Sequence, residues 1–183
     1  MKGDTDNREF LLYTETVIAG CGNPLFGDDG FGPAVAEALQ RFYFPENIRV
    51  IDAGTSGPAM IFDILDPAAT KHLIVIDCAD FGAQPGTIRV FNLSYPVPAG
   101  IRDAQPGGII AALNDLAPHI KITIIGCQPR ENTWPELKID LSDEVARAIP
   151  MATRTVLELL DMDTGCPLCC ILQKTAIGLT GDN

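Results

Sequence analysis

The run of residues 71–77 (KHLIVID) constrains the fold of this chain more than any other segment. It is nearly continuous in apolar, mostly β-branched residues and does not alternate with polar ones. This pattern is typical of a strand that is buried on both faces, as in the middle of a parallel sheet. Because such a sheet must be covered by helices on both sides, the run predicts an α/β domain.

The remaining elements alternate between strand and helix along the chain. Further strands are predicted at residues 14–20, 47–52, 86–93 and 120–127, and helices at residues 32–42, 57–65, 106–116 and 142–160. The strand at 86–93 follows the central strand too closely for a crossover helix, so we expect it to be an antiparallel edge strand. In the last helix, Ser142 is the candidate N-cap, and Pro150 is expected to kink or interrupt the helix. The sequence thus predicts a three-layer α/β/α sandwich around a twisted, five-stranded, mostly parallel sheet with one antiparallel strand.

Length and charge limit the possible partners. The 183 residues fit a single domain, predicted at residues 1–163, and a cysteine-containing tail at residues 164–183. A formal net charge of -11 argues against nucleic acid or an anionic membrane as a partner. The polar first residues do not resemble a signal peptide, and no apolar run is long enough to span a bilayer, which predicts a cytoplasmic location.

The six cysteines are expected to stay reduced in that compartment. Cys166 and Cys169 in the tail have a C-x-x-C spacing, which can bind zinc or cycle through a disulfide. A tetrahedral zinc site needs four ligands, however, and no second pair is present. An extension that packs on the domain or on a partner is therefore the simpler interpretation of the tail.

Carboxylates stand at the predicted carboxyl ends of the strands, where open α/β sheets bind their ligands. Asp28 and Asp29 follow the first strand, Asp52 closes the second, and Asp77 closes the third, with Asp80 close behind. Asp77 is the most informative, because a carboxylate at the end of so apolar a strand must be desolvated, hydrogen-bonded or bound to a metal. The alternative is an aspartate that bonds loop amides or caps a turn.

Residues 20–32 (GCGNPLFGDDGFG) form a glycine-rich loop between the first strand and the first helix. A dinucleotide-binding loop would need glycine where Leu25 stands, and the acidic ribose ligand expected about 20 residues further on is absent at that spacing. Asp28 and Asp29 would also repel a pyrophosphate at close range. The loop therefore disfavours an α/β dehydrogenase and favours a cation as the ligand.

This loop strongly resembles the opening motif G-x-G-N-x-L-x-x-D-[ED]-G-x-G of the nickel-iron hydrogenase maturation endopeptidases. The resemblance covers roughly residues 14–160 and extends to residues 52–57 (DAGTSG), similar to the D-x-G-T-x-G turn of that family, and to residues 73–77 (LIVID), 126–129 (GCQP) and 141–142 (LS). Within the family, Cys21 and Asp29, the latter in place of the commoner glutamate, look like the branch that serves coenzyme F420-reducing hydrogenases.

The resemblance implies an enzyme that removes a C-terminal extension from the precursor of the hydrogenase large subunit after nickel has been inserted. Nickel, supplied by the substrate rather than permanently bound, serves as the recognition mark. The family's nickel-contacting acidic residues correspond to Asp29 and Asp77. The third family ligand is a histidine, but residues 94–116 contain none, and we expect Asp103 to replace it as a metal ligand. Three carboxylates make a hard site with weak intrinsic nickel affinity, which suits an enzyme that reads nickel held by substrate thiolates.

Several routes to peptide cleavage are compatible with the residues. No serine, cysteine or zinc protease arrangement stands at a suggestive spacing, and both histidines, His72 and His119, are expected to be structural. Asp29 and Asp77 are the candidate catalytic residues: a carboxylate could act as general base on water, or the nickel could polarise the scissile carbonyl. A non-catalytic nickel metallochaperone or assembly factor is the alternative function.

Overall fold

A computed structural model of the chain describes residues 14–66, 68–93, 102–103, 120–131 and 133–162. Within them, helices pack on both faces of one mixed sheet. The predicted helix at residues 106–116, the second histidine and the cysteine-containing tail lie outside the described residues. In the described part of the chain, no helix is long and apolar enough to cross a membrane.

The strand order confirms the predicted place of the central strand. The described strands are β1 (Thr16–Cys21), β2 (Ile48–Gly54), β3 (His72–Asp80), β4 (Ile88–Leu93), β5 (Arg102–Asp103) and β6 (Lys121–Cys127). Five of them lie in the order β2-β1-β3-β6-β4, and the short β5 pairs with β3. β3 is thus in the middle of the sheet, and its residues 73–79 are all buried.

β4 is the antiparallel edge strand that the short connection predicted. It pairs antiparallel with β6, whereas β1, β2, β3 and β6 pair in parallel. Only residues 81–87 separate β3 from β4, and a parallel crossover needs about a dozen residues or more. β5 was not predicted, because two residues carry no readable periodicity. It pairs antiparallel with β3 through Ala79 opposite Asp103 and Asp80 opposite Arg102.

The described helices are α1 (Phe31–Leu39), α2 (Gly57–Ile64) and α3 (Asp143–Leu159). α1 and α3 cover one face of the sheet, with Phe31 and Val156 in the apolar cluster on that side. α2 covers the other face through Ile61. The three-layer architecture is confirmed. α3 continues through Pro150, so the expected interruption does not occur, because its buried face is held against the sheet on both sides of that residue.

α1 begins in direct backbone contact with β1 and β3. A Cβ atom on Gly32 would lie only 2.1 Å from the carbonyl oxygen of Cys21 and 2.4 Å from that of Ile76. Glycine is the residue that permits such a close approach of helix and strand. The contact holds the loop at residues 22–30 at the carboxyl ends of β1 and β3.

Candidate functional site

Asp77 lies near the carboxyl end of β3, between β1 and β6. Its register partner on β6 is Gly126. Side-chain alternation places Asp77 on the same face of β3 as Val75 and Ala79, which belong to the apolar cluster under α2. Only 5% of Asp77 is exposed, so its carboxyl group is strongly desolvated, as the apolar strand before it predicted.

Asp29 lies in a single 3₁₀ turn, Asp28–Gly30, which leads into α1. Its Oδ2 atom accepts a hydrogen bond of 2.5 Å from the backbone N–H of Asn23, and 8% of the residue is exposed. Gly22 allows this arrangement: its φ is +121°, and a Cβ atom there would lie 1.9 Å from the carbonyl oxygen of Asp29. The loop therefore folds back so that Asp29 packs against the end of β1.

The structure brings Asp29 and Asp77 to the same edge of the sheet. β1 and β3 are adjacent and parallel, and their last register pair is Gly20 opposite Ile76. Asp77 comes directly after this pair, and Gly22, against which Asp29 packs, comes two residues after it. Two almost completely buried carboxyl groups thus stand at the carboxyl ends of two neighbouring strands, the position predicted for a ligand.

Asp28 has a different environment from that of Asp29, and its role was missed at the sequence level. It is fully buried, and its carboxylate accepts backbone hydrogen bonds from Arg130 at 2.8 Å, from Glu131 at 3.2 Å and from Ser142 at 2.7 Å. The Ser142 hydroxyl donates a further bond of 3.0 Å. Asp28 is therefore the anchor that ties the segment at residues 130–142 to the loop at residues 22–30, which we call the site loop.

Two further contacts support this part of the site. The thiol of Cys78, the residue after Asp77, donates to the backbone carbonyl oxygen of Asp28 at 2.8 Å. Burial is the main cause that raises the pKa of Cys78 well above its ordinary value, so this thiol stays protonated and remains a donor. Ser142 does occupy the N-cap position of α3 as predicted, but its side chain makes no capping bond. The hydroxyl donates to the buried carboxylate of Asp28 and does not accept from the first-turn N–H groups of the helix.

Gln128 is the second polar residue that sequence reasoning missed. It is almost fully buried, and its Oε1 atom accepts hydrogen bonds from the backbone N–H groups of Phe81 at 2.9 Å and Ala83 at 3.2 Å. Its Nε2 donates to Asp80 Oδ1 at 3.3 Å. Gln128 thus fixes the loop that leaves β3 just beyond Asp77. A glutamine directly after an apolar strand, at residue 128, was the available signal.

Asp52 is exposed, unlike the other acidic residues at the strand ends. Its Oδ1 atom accepts a hydrogen bond of 2.9 Å from the backbone N–H of Gly54, whose φ is +48°. This is an aspartate that closes its own turn. The carbonyl oxygen of Gly54 accepts the backbone N–H of Gly22 at 3.3 Å, so Asp52 shapes the neighbouring loop.

The backbone of Asp103 lies beside the site, whereas its side chain is outside the described structure. β5 places Asp103 opposite Ala79, two residues beyond Asp77 on β3. Among the described side chains, no three His, Cys, Asp or Glu residues come together as a metal-binding group. The assignment of Asp29, Asp77 and Asp103 as metal ligands therefore stays a prediction.

His72 begins β3, at the edge of the sheet opposite Asp77. Its Nε2 atom lies 2.9 Å from the Thr123 hydroxyl oxygen, and that hydroxyl donates to Asn92 Oδ1 at 3.2 Å. Because a hydroxyl has a single proton to donate, His72 Nε2–H is the donor in the first bond. Burial, and to a smaller extent Lys121, lowers the pKa of His72 to about 4. The ring is therefore neutral at pH 7. Its hydrogen bond joins two strands of the sheet, in agreement with the structural role expected for His72.

Comparison with known proteins assigns the family. The family model described as hydrogenase maturation protease matches residues 33–159. The chain belongs to the hydrogenase maturation protease family. This maturation protease is 36% identical over 148 residues to coenzyme F420 hydrogenase subunit delta of Methanothermobacter thermautotrophicus, which covers 79% of the chain and 93% of that relative. It is 39% identical over 146 residues to a putative hydrogenase maturation protease of Methanocaldococcus jannaschii, covering 78% and 94%.

Solved structures agree with this assignment. The hydrogenase maturating endopeptidase HybD from E. coli is similar to the maturation protease with a TM-score of 0.66 and 28% identity, covering 81% of the chain and 93% of HybD. A hydrogenase 2 maturation peptidase from a Thaumarchaeota archaeon gives a TM-score of 0.60 at 26% identity, covering 82% and 100%. The α/β fold and the enzyme class are thus confirmed: the chain is a hydrogenase maturation endopeptidase.

Proposed function

We propose that this maturation protease removes the C-terminal extension of a nickel-iron hydrogenase large-subunit precursor after nickel insertion, and that its hydrogenase is an F420-reducing one. The F420 branch is supported by the relative of that name, which is 36% identical over nearly its full length. The combination of Cys21 and Asp29 in the first motif points to the same branch. The same proposal places the activity in the cytoplasm.

Asp29 and Asp77 contact the nickel that the precursor carries. The observation that supports this role most directly is the position of the two residues, 8% and 5% exposed, at the carboxyl ends of neighbouring strands. Water solvates buried carboxylates poorly. A divalent cation supplied by a bound substrate therefore stabilises the negative charges of both carboxylates. Asp103, which pairs with β3 through its backbone just beyond Asp77, supplies the third oxygen ligand.

These oxygen ligands also suit an enzyme that hydrolyses a peptide bond beside substrate-bound nickel. An all-carboxylate site binds nickel weakly by itself, so the enzyme engages nickel only where the thiolates of the precursor already hold it. The nickel then polarises the scissile carbonyl as a Lewis acid. Asp29 or Asp77 accepts the proton of the attacking water as general base and returns it to the amine that leaves when the peptide C–N bond breaks.

A cleavage assay with matched precursors tests this function. Purified large-subunit precursor is incubated with the protease in nickel-loaded and nickel-free forms, and the loss of the extension is followed by mass spectrometry. We expect cleavage only of the nickel-loaded form. Asp29→Asn and Asp77→Asn should each slow cleavage by about 100-fold or more, and Asp63→Asn, which changes an exposed carboxylate on α2, should leave the rate within about twofold.

Each other outcome removes a defined part of the proposal. Equal cleavage of nickel-free precursor would exclude nickel as the recognition mark. Cleavage that survives both substitutions would exclude Asp29 and Asp77 as the site. Nickel delivery to the precursor without loss of the extension would identify a metallochaperone rather than a processing enzyme.

A further inference from the structure

Four large apolar side chains stand exposed on the site loop and beside it. They belong to Leu25, Trp134, Leu137 and Ile139, and between 48% and 74% of each residue is exposed. We call these four residues the apolar ridge. A soluble domain seldom exposes several large apolar residues side by side unless they contact a partner.

Backbone pairing makes the apolar ridge continuous with the site loop. Lys138 donates its backbone N–H to the carbonyl oxygen of Leu25 at 2.8 Å, and Gly27 donates to the carbonyl oxygen of Lys138 at 2.5 Å. The N–H of Leu25 donates to Asn23 Oδ1 at 3.0 Å, and the N–H of Asn23 holds the carboxylate of Asp29. A protein whose chain reaches Asp29 therefore meets the apolar ridge beside it.

The apolar ridge is also held in a fixed position. Arg130 and Glu131 at the start of its segment, and Ser142 at the end, all donate to the buried carboxylate of Asp28. The Trp134 ring packs edge-on against Phe26 with a centroid distance of 4.8 Å. Two anchored ends and a ring contact present the ridge as a preorganised surface, which lowers the entropy cost of binding.

A groove of about 360 Å³ lies between the apolar ridge and α1. Its lining is mixed in polarity, and the apolar part includes Pro24, Pro33, Ile139 and Leu141. The charged residues that line it are Glu37 and Asp52, both acidic. Glu37 pairs with Arg41 on α1 at 3.7 Å, but both side chains are exposed and such a pair is weak, so Glu37 can exchange it for a basic side chain of the partner. The groove is therefore complementary to an apolar segment that carries a basic side chain.

From this continuity and charge we propose that the apolar ridge and its groove are the docking surface for the hydrogenase large-subunit precursor, which binds there through an apolar segment with a basic residue. This inference rests on the proposed function for the identity of the partner. The ridge binds a segment of the precursor, and the scissile bond lies at the adjacent site loop.

Binding and cleavage measured separately test the docking surface. The Asp77→Asn protease, used to prevent turnover, is titrated with nickel-loaded precursor, and Leu137→Ser/Ile139→Ser is compared in the same background. We expect the Kd to rise by about tenfold or more, since two exposed apolar contacts are lost. Met151→Ser, which removes an exposed apolar residue on α3, is the matched control and should stay within about twofold. Urea midpoints of all variants establish that they are folded.

The results for the ridge and for the proposed function are distinguishable. If the wild-type protease cleaves the precursor and Leu137→Ser/Ile139→Ser leaves both Kd and KM unchanged, the ridge proposal is overturned while the function stands. If the wild-type protease fails to cleave but the ridge substitutions weaken binding, the function falls and the docking surface stands. If the Asp77→Asn protease does not bind, the KM values of the active proteins decide, and a Leu137→Ser/Ile139→Ser KM equal to that of the wild type overturns the docking surface. A Glu37→Gln variant should weaken binding about threefold. An unchanged Kd would overturn the proposal that the bound segment of the precursor carries a basic residue.

Discussion

Asp28 and Ser142, which are 114 residues apart in the chain, are joined by two hydrogen bonds, from the serine backbone N–H at 2.7 Å and from its hydroxyl at 3.0 Å. With the bonds from Arg130 and Glu131, the carboxylate of Asp28 accepts from four donors and is fully buried. All four partners donate, so the two carboxylate oxygens act only as acceptors in these bonds.

Asp28→Asn should therefore destabilise the protein strongly. The amide keeps the shape of the side chain but presents an NH₂ group to backbone donors and loses the charge. We expect a loss of about 3 kcal/mol in the free energy of unfolding, measured by urea denaturation. Ser142→Ala removes only the hydroxyl bond and should cost about 1 kcal/mol. An unfolding midpoint of Asp28→Asn equal to that of the wild type would contradict the anchor role.

Gly22→Ala should disrupt the site loop. Its added Cβ would lie 1.9 Å from the Asp29 carbonyl oxygen, so the 3₁₀ turn must move. Gly82→Ala is a matched control, because Gly82 also has a positive φ, +69°, but nothing lies within 4 Å of its Cβ position. The control should lose roughly 1–2 kcal/mol from backbone strain alone. Gly22→Ala should lose more and should abolish precursor cleavage, and equal losses for the two variants would exclude the steric contact as the cause.

His72 should make the stability depend on pH between about 4 and 6.5. Burial lowers the pKa of the folded ring to about 4, whereas an unfolded histidine titrates near 6.5. Between these values the unfolded chain binds a proton that the folded chain does not, so stability falls as the pH falls. The full shift corresponds to about 3 kcal/mol, and solvent screening of this half-buried ring reduces it to about 1.5 kcal/mol.

The His72→Gln variant isolates this contribution. Urea denaturation at pH 7 and pH 4.5 should show that the wild type loses about 1 kcal/mol more than the variant, since glutamine does not titrate. The carboxylates of both proteins titrate alike and cancel in the comparison. Identical losses in the two proteins would mean that His72 keeps an ordinary pKa in the folded state.

Cys78 and Cys127 should resist alkylation in the folded protein. They are register partners on β3 and β6, and both are completely buried. The pKa of Cys78 is raised, chiefly by burial, so the reactive thiolate is scarce as well as inaccessible. Peptide mass spectrometry after iodoacetamide treatment at pH 8 should find both cysteines unmodified, and modified once urea has unfolded the chain. Rapid labelling of Cys78 in the native protein would disprove this.

The fold was predictable where one local pattern determined the outcome. The unbroken apolar run before Asp77 predicted a central strand, and the short link at residues 81–87 predicted an antiparallel β4, because chain geometry allows nothing else over so few residues. Both are confirmed. Asp29 and Asp77 also lie at the predicted edge of the sheet, since parallel neighbouring strands end together.

The unpredicted features depend on contacts between distant parts of the chain. Asp28 and Asp29 are identical neighbours in sequence, yet one anchors the segment at residues 130–142 and the other bonds Asn23 within its own loop. Local propensity cannot separate them, because the difference lies in partners more than 100 residues away. The contact with Asp28 also explains why the Ser142 hydroxyl bonds a buried carboxylate and does not cap the helix as expected.

The separation between Asp28 and its donors also sets when the loop that carries Asp29 can be anchored during synthesis. After Asp28 has been made, a ribosome must add 102 residues before the first of these donors, Arg130, exists and 114 before Ser142 exists, which takes roughly 5 to 23 s at the usual elongation rates. Until then the set of four bonds that anchors the loop carrying Asp29 is incomplete. The loop that carries Asp29 is thus fully anchored only late in synthesis, once the segment that leads into the last helix has been made.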